Sequence, residues 1–245
     1  MAWGDIMDMK SIFTKKRIIF GLIFLVLVFI GNKVNFSPLV GAPNQFFTLF
    51  QFFGPIVGYF MGPIFGVATV LGAEALDFVV VGKAFTLLNL VRLTPMLFAA
   101  YYFGTKKKSI SVAVPLAMMA IFIAHPIGRQ VWFFSLFWMI PVIVALLPKR
   151  FSQNTFLKSL GATFTAHSVG GAAWVWTVPM TAVQWTALIP VVIFERLLFT
   201  AGITLSFIAA NYMLDKVVSR FKVNNPVEVV HVEKNIWARL LPWRS

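Results

Sequence analysis

The sequence predicts an all-α membrane protein, a polytopic bundle of six to eight transmembrane helices with both termini in the cytoplasm. Of its 245 residues, 59% are hydrophobic and only 12% are charged, and the mean hydropathy is +0.84. A soluble domain cannot hide that much apolar surface, so lipid must be the main solvent. Most apolar runs reach the roughly 17 to 25 residues that a spanning helix needs, and they lack the period-two alternation of transmembrane strands.

The helices are predicted in eight apolar segments, which are 17–34, 45–61, 62–82, 84–104, 109–125, 131–148, 157–178 and 183–214. The first follows a basic cluster, as in a signal peptide, but no small-residue cleavage site comes after it, so we expect a retained helix. The fifth is short and contains Pro115, so a six-span topology remains an alternative. The predicted organisation is a cytoplasmic segment 1–16, a bundle 17–214 and a basic cytoplasmic tail 215–245.

The basic residues give the orientation. Sixteen of the 21 lysines and arginines fall in the segments placed inside, and only Lys33, Lys83 and Arg129 fall outside. This bias predicts cytoplasmic termini and a multi-pass protein of the cell membrane. It also accounts for the net charge of +13 without a nucleic-acid partner.

The end of the tail allows two interpretations. Its tryptophans, leucines and arginines interleave, at Trp237, Arg239, Leu240, Leu241, Trp243 and Arg244. Such a segment can lie on anionic lipid as a surface anchor, and an ordinary cytoplasmic tail is equally compatible with it.

A glycine ladder marks a helical hairpin. Gly54, Gly58, Gly62 and Gly66 recur at every fourth residue, which places small residues on one helix face for close packing. The stretch 45–82 is about twice as long as one crossing requires, so a turn must interrupt it. We predict a tight turn near Gly62, with Pro63 as the first residue of the second helix.

Charged residues inside the apolar segments are the strongest functional signal. Of eight acidic residues, Glu74, Asp77 and Glu195 lie there, together with Arg92 and Arg196. Charge at bilayer depth costs about 2.5–3.5 kcal/mol per residue, so such groups pair with one another or line a polar cavity. Glu74 and Asp77 share one helix face and Asn89 and Arg92 another, which predicts either a structural ion pair or a substrate pocket.

Two further segments contribute candidates. Glu195 and Arg196 are adjacent and point about 100° apart on a helix, so we expect only one of them to face a cavity. The stretch 161–185 combines small residues and His167 with Trp174, Trp176 and Trp185. This composition suits a flat heteroaromatic ligand, although His167 could be a satisfied core histidine. For Trp176 and Trp185 an interfacial aromatic belt is favoured.

Enzymatic motifs are missing from the sequence. There is no cysteine, no Walker A motif, and no spacing typical of a metal site or of a Ser-His hydrolase. We therefore expect no enzyme activity, cofactor or metal. The predicted substrate-binding residues are Glu74, Asp77, Asn89, Arg92, His167, Trp174 and Glu195.

The run FFTLFQFFGPIVGYFMGPIFG and its continuation to Gly104 resemble the substrate-binding S components of energy-coupling factor vitamin transporters. The closing helix, with LIPVVIFERLLFTAGI, is similar to that of the same family. The resemblance covers about half of the chain. The chain departs from the family in its first helix, which has only Gly21 and Gly31 in place of an Ala-xxx-Ala face, and in its count of up to eight segments, where six helices are usual.

The resemblance implies capture of a vitamin or similar micronutrient from outside, with the loop 31–44 as a lid. A transmembrane coupling subunit and two ATPase subunits would then drive release, with membrane lipid as the other partner. Two alternatives remain open. One is a stand-alone proton- or ion-coupled carrier that uses the buried acids as relays, and the other is a structural or assembly protein whose charges only hold helices together.

Overall fold

The computed structural model of the chain describes residues 15–38, 46–220, 231–234 and 236–241. Within these ranges nearly every residue lies in a helix, and one short antiparallel pair of strands is present, which confirms the all-α class. The first half contains α1 (Lys15–Gly31), β1 (Asn35–Pro38), β2 (Phe46–Thr48), α2 (Phe50–Met61), α3 (Pro63–Val81), α4 (Leu87–Val91) and α5 (Pro95–Gly104). The second half contains α6 (Lys108–Ala124), α7 (Pro126–Gln130), a 3-10 helix (Trp132–Trp138), α8 (Met139–Leu146), α9 (Lys149–Ser152), α10 (Thr155–Thr177), α11 (Ala182–Arg220) and α12 (Ile236–Leu240).

Several predicted segments are not continuous helices. The segment 84–104 contains the five-residue helix α4, a turn, and then α5, which begins at Pro95. Proline disfavours helical geometry in the residue before it and is well suited to a first helical turn, so it sets this boundary. The segment 131–148 is likewise divided between the 3-10 helix and α8.

Two helices in the described ranges are long and apolar enough to cross a membrane. They are α3, and α11 from Ala182 to Lys216, and only a third of each apolar window is buried inside the protein. Val79 is 73% exposed and Val183 is 78% exposed. Because water would penalise this apolar surface, both helices support a membrane location. Shorter apolar stretches occur at Phe20–Gly31, Phe50–Met61, Lys108–Ala124 and Trp132–Leu146.

The hairpin within the glycine ladder forms as predicted. Helix α2 ends at Met61, α3 begins at Pro63, and the two are joined by Gly62 alone. Gly62 has φ +85°, which only glycine adopts without strain. The one-residue connection keeps α2 and α3 in direct contact with each other.

The short helix α5 lies at the centre of the bundle, against α2, α3 and α10. A Cβ at Gly58 of α2 would overlap the carbonyl oxygen of Ala100, and one at Gly104 would overlap the carbonyl oxygen of Gly58. The backbones of α2 and α5 therefore touch, which only residues without a side chain permit. The ladder acts here as a packing surface.

We predict that Gly58→Ala lowers the stability of the fold by about 1–3 kcal/mol, since a backbone carbonyl cannot rotate away from the added methyl group. The thermal unfolding midpoint of the detergent-solubilised protein measures this loss. Gly72→Ala is the matched control, because the nearest atom to its added Cβ is Leu25 Cδ1 at 3.7 Å. An equal loss in both variants would contradict the close crossing.

The end of the chain packs back onto the bundle, at the end of α2 where Tyr59 lies. The Tyr59 hydroxyl donates to Glu233 Oε2 at 2.9 Å, and the His231 amide donates to the Phe60 carbonyl at 2.9 Å. The Arg239 guanidinium lies over the Tyr59 ring at 4.6 Å, and its Nε donates to the Gln153 carbonyl at 3.0 Å. Arg239 thus contacts protein and does not lie on lipid, while Trp243 and Arg244 of the predicted anchor lie outside the described residues.

His231 makes the docked tail sensitive to pH. Burial lowers the pKa of His231; Glu233 opposes this shift, and nearby Lys106 adds to it. The undocked tail thus binds a proton more readily than the docked one. The contribution of His231 to docking is therefore fully present above the ordinary histidine pKa, about 6.5, and declines as the pH falls below it.

We therefore predict that the His231 and Glu233 amides lose hydrogen-exchange protection, corrected for intrinsic rates, as the pH falls from about 7.5 to about 5. His231→Gln should remove this dependence, and His125→Gln, at the other end of the molecule, should retain it. Protection that stays constant over this range in the wild type would refute the role of His231.

Candidate functional site

A cavity of about 220 Å³ lies where the two hydrophobic clusters of the molecule adjoin, at the end away from the docked tail. Phe50 and Met96 of one cluster and Phe134 and Trp185 of the other form part of its wall. All seven residues predicted from the sequence line this cavity: Glu74, Asp77, Asn89, Arg92, His167, Trp174 and Glu195. Helices α3, α4, α10 and α11 bring them together.

The β1–β2 pair forms one wall of the cavity and is attached to three helices. Ser37 donates to Glu195 of α11 at 2.6 Å, and Arg92, after α4, reaches the Phe46 carbonyl at 3.4 Å. Lys33, just before β1, pairs with Asp77 of α3 at 2.7 Å. This segment corresponds to the predicted lid, of which residues 39–44 lie outside the described ranges.

Asp77 has two partners, and neither is the predicted one. Its two carboxylate oxygens bind Lys33 Nζ and Lys83 Nζ, each at 2.7 Å, while the Asp77 side chain is 5% exposed. Arg92 forms no ion pair in the described part of the chain. Of the two arrangements expected for the acidic face of α3 and Arg92, a direct ion pair does not form within the described residues, because Asp77 binds lysines from two loops instead.

Glu195 and Arg196 both line the cavity, which corrects the expectation that only one of them would. Arg196 Nη2 pairs with Glu195 Oε2 at 3.2 Å, and the guanidinium lies over the Phe47 and Phe199 rings at 4.8 and 4.6 Å. Long flexible side chains can bend across the 100° between neighbours, so backbone direction alone does not decide which surface they reach.

His167 has one nitrogen occupied by the protein. Trp138 Nε1 donates to His167 Nδ1 at 3.2 Å, and the ring lies among Phe134 and Phe164. When Nδ1 accepts a hydrogen bond, the proton of the neutral imidazole is on Nε2. His167 is thus half satisfied by the core and retains a donor for the cavity that it lines.

The three tryptophans near the second cluster occupy different environments. Trp174 lines the cavity as predicted, whereas Trp176 is 55% exposed and donates to the Ile121 carbonyl at 3.1 Å. Trp185 is only 2% exposed and lines the cavity, so its assignment to an aromatic belt is wrong. Its ring packs against Phe122 and Phe134, which the linear sequence does not reveal.

Several lining residues were not candidates from the sequence, among them Phe46, Phe47 and Lys83, while Trp185 and Arg196 were named but not placed in the substrate-binding set. For Lys83 a signal did exist. Lys33 and Lys83 both fall in segments predicted to lie outside, and Asp77 lies only six residues before Lys83. Phe46 and Phe47 carried no such signal, because they lie at the edge of an apolar segment like many other phenylalanines in the chain.

Glu74 and Arg92 remain without a full set of partners. Glu74 is 8% exposed and makes no hydrogen bond or ion pair with any residue in the described ranges. The only hydrogen bond of the Arg92 side chain there is the long contact to Phe46. Asn89 donates to the Ala84 carbonyl at 2.9 Å, which leaves its side-chain oxygen as an acceptor.

Comparison with protein-family models, with curated proteins and with solved structures found no match for this chain.

We predict that Asp77→Asn destabilises the protein by about 2 kcal/mol, because it removes the buried negative charge that both Lys33 and Lys83 bind. The thermal midpoint and the exchange protection of the β1–β2 amides should both fall. Asp215→Asn is the control, since its pair with Lys234 is solvent-exposed on both sides and should contribute little. Equal effects of the two substitutions would be evidence against the Asp77 interaction as the attachment of the hairpin.

Proposed function

We propose that this protein is a multi-pass subunit of the cell membrane that captures a vitamin-like micronutrient, similar to the S component of an energy-coupling factor transporter. The solute would enter the cavity from outside, past the β1–β2 hairpin. Both termini, and therefore the docked tail, would lie on the cytoplasmic side.

One observation carries this proposal. The seven residues predicted from the sequence lie on or next to four helices, and they line a single cavity. Charges that served only to hold helices together would be expected to form ion pairs, as Asp77 does with two lysines and as Glu195 does with Arg196. Glu74 and Arg92 form no ion pair within the described residues and line a cavity of small-molecule size, and this favours a binding role over a purely structural one.

Partner subunits would hydrolyse the ATP that drives transport, because the chain has no phosphate-binding loop of its own. The contact with such partners would differ from the small-residue face expected for the family. Gly21 of α1 faces the Phe65 ring and Gly31 faces the Phe50 backbone, so both glycines pack inside the protein. The exposed side of α1 carries large residues such as Leu22 and Val26.

The proposal predicts that the purified chain retains a small molecule, or binds one from a vitamin panel. Mass spectrometry of extracts identifies the retained solute, and quenching of tryptophan fluorescence reports binding, since Trp174 and Trp185 line the cavity. Glu74→Gln combined with Arg92→Gln should weaken binding at least about tenfold, whereas Asp215→Asn should not.

Transport assays separate this function from its alternatives. Liposomes containing the chain alone should bind the solute without accumulating it. If a proton gradient drives accumulation of the solute in these liposomes, the protein is a stand-alone carrier and the proposed capture function is wrong. A protein that holds no solute, binds none from the panel and moves none would contradict both and leave the structural role.

A further inference from the structure

The charged groups around the cavity fall into two sets, and the difference between them indicates the chemistry of the ligand. Asp77 is neutralised by Lys33 and Lys83, and Glu195 by Arg196. Glu74 and Arg92 belong to neither network, and they are more than an ion-pair distance apart. Within the described residues Glu74 has no ion-pair or hydrogen-bond partner, and Arg92 has only the long contact to the Phe46 carbonyl, so the cavity presents one acid and one base to a ligand.

The acid cannot be explained as a solvated surface group. Glu74 is more than nine-tenths buried, and α3, on which it lies, is one of the two helices able to cross a membrane. A buried carboxylate without a hydrogen-bond donor is strongly destabilising, and a cationic group in the cavity would remove that cost.

Two donors on the cavity wall also lack a full set of acceptors. The Arg92 guanidinium has only the long contact to the Phe46 carbonyl, and His167 Nε2 forms no hydrogen bond in the described ranges. The acceptor oxygens of a carboxylate are what such donors bind.

Size and aromatic character narrow the class further. The cavity of about 220 Å³ is smaller than the roughly 300–1,000 Å³ typical of sites for drug-sized ligands, so it suits a solute of about one ring. Phe46, Phe47, Phe134, Trp174 and Trp185 contribute aromatic surface to the wall. Aromatic faces stabilise both a flat ring and an organic cation.

We propose that the cavity binds a small zwitterion about one ring in size, with its cationic group on Glu74 and its carboxylate on Arg92. Three acidic and three basic side chains line the cavity, and a ligand with one charge of each sign preserves this balance, whereas a singly charged ligand does not. This assignment rests on the proposed capture function and specifies its substrate class.

The test uses the full chain in lipid nanodiscs and titrates four single-ring probes by tryptophan fluorescence or calorimetry. Two are zwitterions with different charge separations, 3- and 4-(aminomethyl)benzoate, and two carry one charge each, benzylamine and 4-methylbenzoate. We expect at least one zwitterion to bind at least about tenfold more tightly than either singly charged probe.

Two substitutions assign the ends of the ligand. Glu74→Gln should weaken binding of benzylamine and the zwitterion about tenfold and leave 4-methylbenzoate unchanged, while Arg92→Gln should do the reverse for the two singly charged probes. Glu233→Gln, in the docked tail, removes a carboxylate far from the cavity and should leave all four affinities as they are. Thermal midpoints of the free proteins show whether each variant is folded.

Three results would overturn the assignment. They are a singly charged probe that binds as tightly as both zwitterions, a folded Glu74→Gln variant with unchanged affinity for benzylamine, and no binding of any probe. These outcomes are distinguishable from failure of the proposed function. If a larger or neutral micronutrient is still retained by the purified chain, capture stands and only the zwitterion class fails.

Discussion

The architecture of the cavity depends on the carboxylate of Asp77, which binds Lys33 and Lys83 at once. Lys33 lies in the connection between α1 and β1, and Lys83 lies just after the end of α3. The Asp77 side chain therefore holds both of these connections in place. Charge-assisted hydrogen bonds that two lysines donate to one buried carboxylate are strong enough to hold such loops in place. Both lysines form their ion pairs with Asp77, and neither forms one with Glu74, one turn earlier on α3.

A second constraint lies in the backbone contact between α2 and α5. Gly58, Ala100 and Gly104 bring the two helices together without intervening side chains. Helix α5 is only ten residues long, and it nevertheless contacts α2, α3 and α10. Its N-terminal residues Pro95 and Met96 reach the cavity, while Thr105, just beyond its end, accepts a hydrogen bond from the buried Lys158. A tightly packed centre thus separates an end that contains the cavity from an end against which the described residues between 231 and 241 are packed.

The seven candidate residues were found from the sequence because charge and polarity within apolar segments are costly and therefore informative. The choice of partners was not found in this way. Which cation reaches Asp77, and whether Arg196 bends back to Glu195, depends on loop paths and rotamers that a helical wheel does not contain. Trp185 shows the same limit, since a tryptophan near the end of an apolar segment fits a membrane interface as well as it fits a buried wall.

The sequence by itself determined the all-α class, the interruption of the glycine ladder at Gly62 and the set of polar side chains inside the apolar segments. These follow from local rules, namely hydropathy, helix length and the conformations open to glycine and proline. Only the tertiary structure decided that α4 and α5 are separate, that Arg239 turns inward, and that Asp77 has two partners while Glu74 has none among the described residues. Those outcomes arise from contacts between residues far apart in the chain, where several cations compete for few acids and geometry selects among them.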